Sequence, residues 1–337
     1  MPINVLFIWD VREELRKYLE KGLAGIPDLN LIFPSPAEKE EFMKNITSAN
    51  IVVGWRPSEE LLNQAESLDL FINPGAGVQH HIERFRELNK IREIVLVNGH
   101  GNSYFTGQHA VALLLSLMNK VHLHHQWMTE GLWRRGDNFA KSTPLRWRDV
   151  GLLGYGAVNR NVHKFLSGFD VSFHILKRSW RGDEVFPTPS ERYTPDGLEE
   201  FLTVVDTLII AVPQTDETEG LLGEHELKLL GKDGLLVNIG RGSVIDQNAL
   251  YSVLKSHSIA GAAVDVWYDY QPEEDEEGKK YPYTQPFHEL DNILLSPHRG
   301  ASPMDDLHRW NEVIENISRY AEGRRDFLNQ VDFGRGY

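Results

Sequence analysis

Short apolar, β-rich runs alternate with helix-like stretches along almost the whole chain, and that alternation restricts the fold more than any other feature. The first series is Val5–Trp9, Leu29–Phe33, Ile51–Gly54, Leu70–Asn73 and Ile94–Asn98, with amphipathic segments such as Val11–Gly22 between the runs. Strands separated by helices are the pattern of a parallel α/β sheet. A second series follows: Val150–Gly154, Val171–Leu176, Thr207–Val212, Leu235–Ile239, Ala260–Val264 and Asn292–Leu295. Two such series in 337 residues match two domains of about 150 residues each, so the expected class is α/β with two doubly wound parallel sheets.

Between the series, Tyr104 to Glu130 is apolar on much of its surface and lacks proline, which predicts one long connecting helix. Met304–Gly323 is helical in pattern after the last strand. The run Glu273–Lys280 between Pro272 and Pro282 reads as a solvated loop. No apolar run approaches the ~20 residues of a membrane span, and the N-terminus starts on a strand-like run without a basic signal region. With no cysteine, neither disulfides nor thiolate chemistry is open to the chain. These features predict a cytoplasmic protein with no membrane partner. A net charge of −14 argues against a nucleic-acid binder, because such binding needs Lys and Arg to neutralise phosphates.

Gly151-Leu152-Leu153-Gly154-Tyr155-Gly156-Ala157-Val158-Asn159 follows an apolar strand and opens a helix, the context in which a Gly-x-Gly-x-x-Gly pattern points to a dinucleotide. Gly154 allows the tight turn, Gly156 lets backbone amides approach a pyrophosphate, and the helix N-terminus adds partial positive charge. Asn159 stands in the place of the third glycine, which predicts a helix set slightly further from its strand. At the end of the next strand, where an NAD site has a carboxylate, the chain carries Lys177-Arg178-Ser179. Cations and a hydroxyl there suit a 2′-phosphate, so NADP(H) is favoured over NAD(H), which the site also admits.

Further on come Leu236-Val237-Asn238-Ile239-Gly240-Arg241-Gly242-Ser243-Val244-Ile245-Asp246, Gly261-Ala262-Ala263-Val264-Asp265-Val266-Trp267 and Leu295-Ser296-Pro297-His298. With these motifs the sequence resembles the D-isomer-specific 2-hydroxyacid dehydrogenases, chiefly the glyoxylate/hydroxypyruvate reductases. The resemblance covers nearly the whole chain, taking in Gly75-Ala76-Gly77-Val78 and Gln108-His109-Ala110 in the same order. It implies a Rossmann cofactor domain (101–299) inserted in a flavodoxin-like substrate domain (1–100 with 300–337). It also implies a homodimer formed through the helix at 104–130, and hydride transfer between NAD(P)H and a small 2-oxo acid.

By the same resemblance, His298 is the acid/base and Arg241 binds the carboxylate and polarises the carbonyl. The residue types suit those tasks: an imidazole titrates near neutrality, and a guanidinium stays charged and binds carboxylates in a bidentate way. Asp265 is expected to accept the nicotinamide carboxamide. Val212 and Pro213, with Ile239 and Gly240, join Ala157 and Val158 of the glycine turn in lining the cofactor. Ala76, Gly77 and Val78 resemble a loop whose amides hold the substrate carboxylate, with Trp55 and Asn102 as further substrate contacts.

One departure stands out. The family's glutamate partner of the catalytic histidine is missing from Asp269-Tyr270-Gln271-Pro272, where either Tyr270 or Gln271 falls at its place. Without that anion the imidazolium loses stabilisation and His298 is expected to titrate lower than in glutamate-bearing relatives. Arg299 beside it is unusual. His122, His124 and His125 have no spacing of a metal site and read as a surface or interface, and His80 and His81 follow the substrate loop. Two alternatives remain: a formate dehydrogenase, suggested by Asn102 and Gln271-Pro272, and a cofactor-sensing binding protein without turnover.

Overall fold

The computed structural model describes residues 2–135, 140–301 and 306–337. It contains two compact units, Met1–Asn102 with Met304–Tyr337, and Ser103–Pro303. Gly300 falls in the second unit rather than starting the return to the first, because its N–H donates to Asp265 at 2.8 Å. The predicted helix start at Met304 lies outside the described residues.

In the first unit, strands β1 (Ile3–Phe7), β2 (Leu29–Ile32), β3 (Ile51–Val53), β4 (Leu70–Asn73) and β5 (Val95–Asn98) alternate with helices. The helices are α1 (Glu13–Leu23), α2 (Lys39–Ile46), α3 (Glu59–Gln64) and α4 (Gln79–Asn89). The sheet is parallel throughout, in the order β2-β1-β3-β4-β5, which is the flavodoxin-like arrangement. The strands read as continuous apolar runs because both faces are buried. Leu6, Val52, Phe71 and Leu96 turn to one core, while Val5, Phe7, Ile51, Val53, Leu70 and Ile72 turn to the other. Helix α1 places Leu15, Leu19 and Leu23 on that second core, one turn apart, as the period of a helix requires.

The second unit opens with α5 (Ser103–Asn119) and α6 (Val121–Thr129). Its sheet contains β6 (Asp149–Leu153), β7 (Ser172–Leu176), β8 (Ser190–Tyr193), β9 (Thr207–Ile210), β10 (Leu235–Asn238), β11 (Gly261–Val264) and β12 (Ile293–Leu295). Helices α7 (Ala157–Leu166), α8 (Leu198–Val204), α9 (Glu224–Leu229) and α10 (Gln247–Lys255) connect them, and α11 (Asn311–Ala321) returns to the first unit. The order β12-β11-β10-β9-β6-β7-β8 is parallel throughout and is the Rossmann order, with its switch point between β6 and β9. Among the described residues no helix is long and apolar enough to cross a membrane.

Three local expectations are corrected. The helix predicted over Tyr104–Glu130 is two helices, broken at Lys120, whose φ of 53° is left-handed. Helix α5 is buried along Ala110, Leu114 and Leu117, whereas α6 buries no residue, so the chain turns where its packing surface ends. Strand β8 was not anticipated: Ser190-Glu191-Arg192-Tyr193 is a polar, half-exposed edge strand without an apolar pattern. Asn159 does not simply hold its helix away. Its amide is fully buried and donates to the carbonyls of Gly154 (2.6 Å), Leu153 (3.3 Å) and Ile209 (3.3 Å), tying α7 across the switch point.

Candidate active site

The nucleotide turn lies at the carboxyl end of β6. Gly154 has φ of 82°, and a Cβ there would meet Val212 Cγ1 at 2.7 Å and the Ala211 carbonyl at 2.9 Å, so a side chain is excluded twice over. Gly156 is the N-cap of α7 and has open space where its Cβ would be. No side chain caps the helix and its first turn has no acidic residue, so the amides of Ala157 and Val158 present their dipoles to that space. The turn therefore fits a pyrophosphate. Behind it, Tyr155 Oη lies 2.8 Å from His163 Nδ1, and His163 Nε2 lies 2.8 Å from Thr188 Oγ1. Burial pushes His163 down to about 4, so this brace is uncharged near neutral pH.

Val212 and Pro213 follow β9, and Ile239 and Gly240 follow β10, so all four stand at carboxyl ends beside the turn. At the end of β7, the Lys177 ammonium is paired with Glu184 and lies over the Trp180 ring at 4.5 Å. Arg178 pairs with Glu217 at the surface and Ser179 is exposed. An exposed pair of that kind is worth only ~0–1 kcal/mol, so Arg178 exchanges partners readily; Lys177 is the more firmly committed.

Arg241, Asp265, Tyr270 and His298 sit on the loops leaving β10, β11 and β12, three neighbouring strands. Arg241 is half-buried, donates from Nη1 to the Gly240 carbonyl at 2.7 Å, and is held somewhat below the ordinary guanidinium value by burial. Asp265 is buried and organises the loop that carries His298. Its Oδ1 accepts from Ser296 Oγ at 2.5 Å and the Arg299 N–H at 2.7 Å, and its Oδ2 accepts from the Gly300 N–H at 2.8 Å. His109 Nε2 on α5 lies 2.9 Å from Ser296 Oγ and 3.4 Å from the carboxylate. Burial would raise the Asp265 carboxyl, but the bonds from His109, Ser296 and the two amides outweigh it and hold the group below its ordinary value. A Cβ on Gly300 would stand 2.9 Å from Asp265 Oδ2, so this position has no room for a side chain.

His298 itself has φ of 56°, with its N–H donating to the Ser296 carbonyl at 3.0 Å. Its Nδ1 lies 2.8 Å from Tyr270 Oη, and the rings meet edge to face with centroids 5.3 Å apart. Burial lowers the imidazole below the ordinary histidine value; Asp265 opposes that and Arg241 adds to it. Gln271, the other residue considered for this contact, is exposed, and its backbone N–H donates to Asp269 at 2.8 Å. Trp267 links the parts: its ring N–H donates to the Ser296 carbonyl at 2.8 Å, and its backbone N–H donates to Tyr270 Oη at 3.2 Å.

In the first unit, Ala76, Gly77 and Val78 lie in the loop after β4. Asn73 Nδ2 donates to the carbonyls of Gly75 (2.5 Å) and Gly77 (3.3 Å), Asn98 Nδ2 donates to Ala76 at 2.8 Å, and the Gly99 N–H donates to Gly75 at 3.1 Å. With the carbonyls pinned by donors, three consecutive N–H groups at 76–78 bond no acceptor among the described residues. Such a run of amides is an anion-binding concavity. Trp55 follows β3 and meets Trp9 edge-on at 4.9 Å; Trp310 stacks on Trp9 at 5.5 Å. Asn102 lies half-buried in the turn at the end of this unit.

Sequence reasoning passed over Ser296, His109, Trp267, Gly300, Asn73 and Asn98, all of which hold site residues in place. Ser296 and His109 lay inside quoted motifs, and Asn73 and Asn98 end strands beside the loop; those positions were the available signal.

A family model described as "D-isomer specific 2-hydroxyacid dehydrogenase, NAD binding domain" matches residues 111–300. Glyoxylate reductase of Pyrococcus furiosus is 30% identical over 300 residues, covering 86% of this chain and 83% of the relative. A glyoxylate/hydroxypyruvate reductase of Arabidopsis thaliana is 29% identical over 289 residues, covering 84% and 83%. Among solved structures, a D-isomer specific 2-hydroxyacid dehydrogenase from Xanthobacter autotrophicus Py2, in complex with NADPH and MES, superposes with a TM-score of 0.78 at 22% identity over 100% of both chains. At that identity the likeness is one of fold.

Proposed function

The chain belongs to the D-isomer specific 2-hydroxyacid dehydrogenase family, and on that premise we propose that it reduces a small 2-oxo acid, such as glyoxylate or hydroxypyruvate, to the D-2-hydroxy acid with NADPH. It is an oxidoreductase. When bound, the nicotinamide supplies the hydride in reduction and accepts it in oxidation. The amides of Ala157 and Val158 hold the pyrophosphate, and Arg178 with Ser179 takes the 2′-phosphate, while Lys177 contributes less because Glu184 already engages it.

In the second unit Arg241 orients the acid and polarises its carbonyl while His298 gives a proton to the developing alkoxide; in the first unit the amides of Ala76, Gly77 and Val78 form a concavity suited to a carboxylate. Asp265 keeps His298 in place. The observation that carries this reading is that one buried carboxylate, Asp265, accepts the amides of both residues following His298, while Arg241 and His298 leave β10 and β12, the two strands that flank Asp265's own β11. A loop held that firmly at the carboxyl edge of a Rossmann sheet suits directed proton transfer.

We also propose a homodimer in which α6 and its flank are covered, because α6 buries nothing and leaves Met128 57% and Trp133 75% exposed. A chain with no cysteine fits the reducing cytoplasm, where we place it.

The test is the disappearance of reduced nicotinamide on mixing the protein with glyoxylate, hydroxypyruvate or pyruvate and either cofactor. Turnover that favours NADPH is the expected result. Cofactor binding without turnover would support a sensor instead, and formate-dependent reduction of the oxidised cofactor would support a formate dehydrogenase.

A further inference from the structure

The hydrogen bonds around Tyr270 favour one direction for its proton. The Trp267 N–H donates to the phenol oxygen at 3.2 Å, and His298 Nδ1 lies 2.8 Å away. A phenol carries one proton; with its oxygen already accepting from Trp267 at 3.2 Å, we assign that proton to the nearest acceptor, Nδ1. The neutral imidazole then keeps its own proton on Nε2. A carboxylate partner would act in the opposite sense, accepting from Nδ1–H and favouring the imidazolium.

The charges around the pair agree with a neutral ring. Among the described residues, the charged or titratable groups acting on His298 within this unit are Asp265, Arg241 and Tyr270, with Arg299 next in the chain. Burial and Arg241 disfavour a second positive charge there and Asp265 favours one, with burial the largest influence. Arg241 also favours negative charge on the Tyr270 oxygen, while burial and Asp265 disfavour it.

We propose that Tyr270 is a proton-relay residue acting through His298, in place of the carboxylate that holds the imidazole cationic in glutamate-bearing relatives. The proposal rests on the reductase reading. As hydride from the cofactor forms the new C–H bond, the carbonyl π electrons move to oxygen. The Nε2–H bond breaks and an O–H bond forms on the product. The Tyr270 O–H bond breaks and an Nδ1–H bond forms, so the ring stays neutral. The electron pair of the broken phenol bond remains on oxygen as tyrosinate, which faces the field of Arg241 and regains its proton from water.

The experiment compares the reductive kcat/KM of the wild type and Tyr270→Phe with NADPH and glyoxylate, from about pH 6 to about pH 10. The wild type should stay level well past the imidazole range, because its neutral ring is competent until the phenol ionises. The variant depends on the imidazolium alone, which in the wild type burial and Arg241 hold below the ordinary histidine value. Its rate should fall about tenfold per pH unit above the imidazole range, while the wild type stays level. Activity of the variant on its acid limb shows that it is folded. A variant profile parallel to the wild type overturns the relay.

Histidine ¹⁵N NMR of the protein with bound NADP⁺, assigned with His298→Gln, gives a readout independent of turnover. The expected state near pH 7 is a neutral ring protonated on Nε2, and a proton on Nδ1 overturns the proposal. If no 2-oxo acid consumes NADPH at any pH, the reductase reading fails while the tautomer measurement still decides the relay's geometry.

Discussion

Replacing Asp265 with asparagine keeps the shape of the side chain and removes its charge, so the consequence follows from the bonds it accepts. Besides His109 Nε2 at 3.4 Å from Oδ1, three donors point at the carboxylate: Ser296 Oγ at 2.5 Å and the Arg299 N–H at 2.7 Å on Oδ1, and the Gly300 N–H at 2.8 Å on Oδ2. An amide accepts through only one of its two terminal atoms. The least damaging orientation keeps oxygen at the Oδ1 position and sets NH₂ against the Gly300 N–H. That leaves a buried donor unsatisfied, at about 1–3 kcal/mol, and weakens two bonds that were charge-assisted by about 1 kcal/mol together. The expected loss of stability is therefore about 3 kcal/mol, read as a shift in the urea midpoint followed by tryptophan fluorescence.

The pH dependence has a definite sign. Because the folded carboxyl titrates below its ordinary value, its contribution is complete above the unfolded value of about 3.9 and fades only as pH falls through the lower folded one. The gap between wild type and Asp265→Asn should thus be the same at about pH 6 and about pH 8. Reductive kcat/KM should fall at least about tenfold, since the loop carrying His298 loosens. A stability change below about 1 kcal/mol with unaltered activity would refute the role given to this carboxylate.

Asn98→Ala removes a donor from the Ala76 carbonyl and should raise the KM for the 2-oxo acid about fivefold, at ~1 kcal/mol, with kcat nearly unchanged in steady-state assays. Arg178→Met should raise the KM for NADPH about tenfold or more and leave that for NADH unaffected; equal effects on both would remove Arg178 from 2′-phosphate recognition. Lys120→Gly relieves a left-handed residue between α5 and α6 and should stabilise the protein by about 0.5–1 kcal/mol in urea unfolding. If the proposed homodimer forms through α6 and its flank, Trp133→Asp should convert it to a monomer in sedimentation velocity, whereas an unchanged dimer would place the interface elsewhere.

The two parallel sheets were legible because strands buried on both faces leave unbroken apolar runs, as at Val5–Phe7 and Leu235–Val237. Where that physical cause is absent, so is the signal. Strand β8 lies at the edge of the sheet and pairs through backbone bonds that Ser190, Glu191 and Arg192 do not advertise. The break at Lys120 occurs between residues that all tolerate a helix, and only the end of the buried face marks it.

At the site, motif order pointed to His298, Arg241 and Asp265, but it could not choose between Tyr270 and Gln271, because counting along a loop does not give its course in space. The structure brings the Tyr270 hydroxyl to His298. The supports made by Trp267, Ser296 and His109 join segments far apart in the chain, as in the 2.9 Å contact between His109 and Ser296, so no local pattern exposes them. Lys177 shows the converse. Its position after β7 suggested a phosphate ligand, and only the fold shows Glu184 already paired with it.

The central claim is that His298 and Arg241 act together on one 2-oxo acid during hydride transfer. Single-turnover oxidation of bound NADPH by glyoxylate, compared among wild type, His298→Gln and Arg241→Gln, tests it most directly. The account predicts rapid oxidation by the wild type and losses of about 10²–10⁴-fold in the His298 variant, with a comparable loss in the Arg241 variant, while NADPH still binds to both. Oxidation at the wild-type rate in either variant would contradict it.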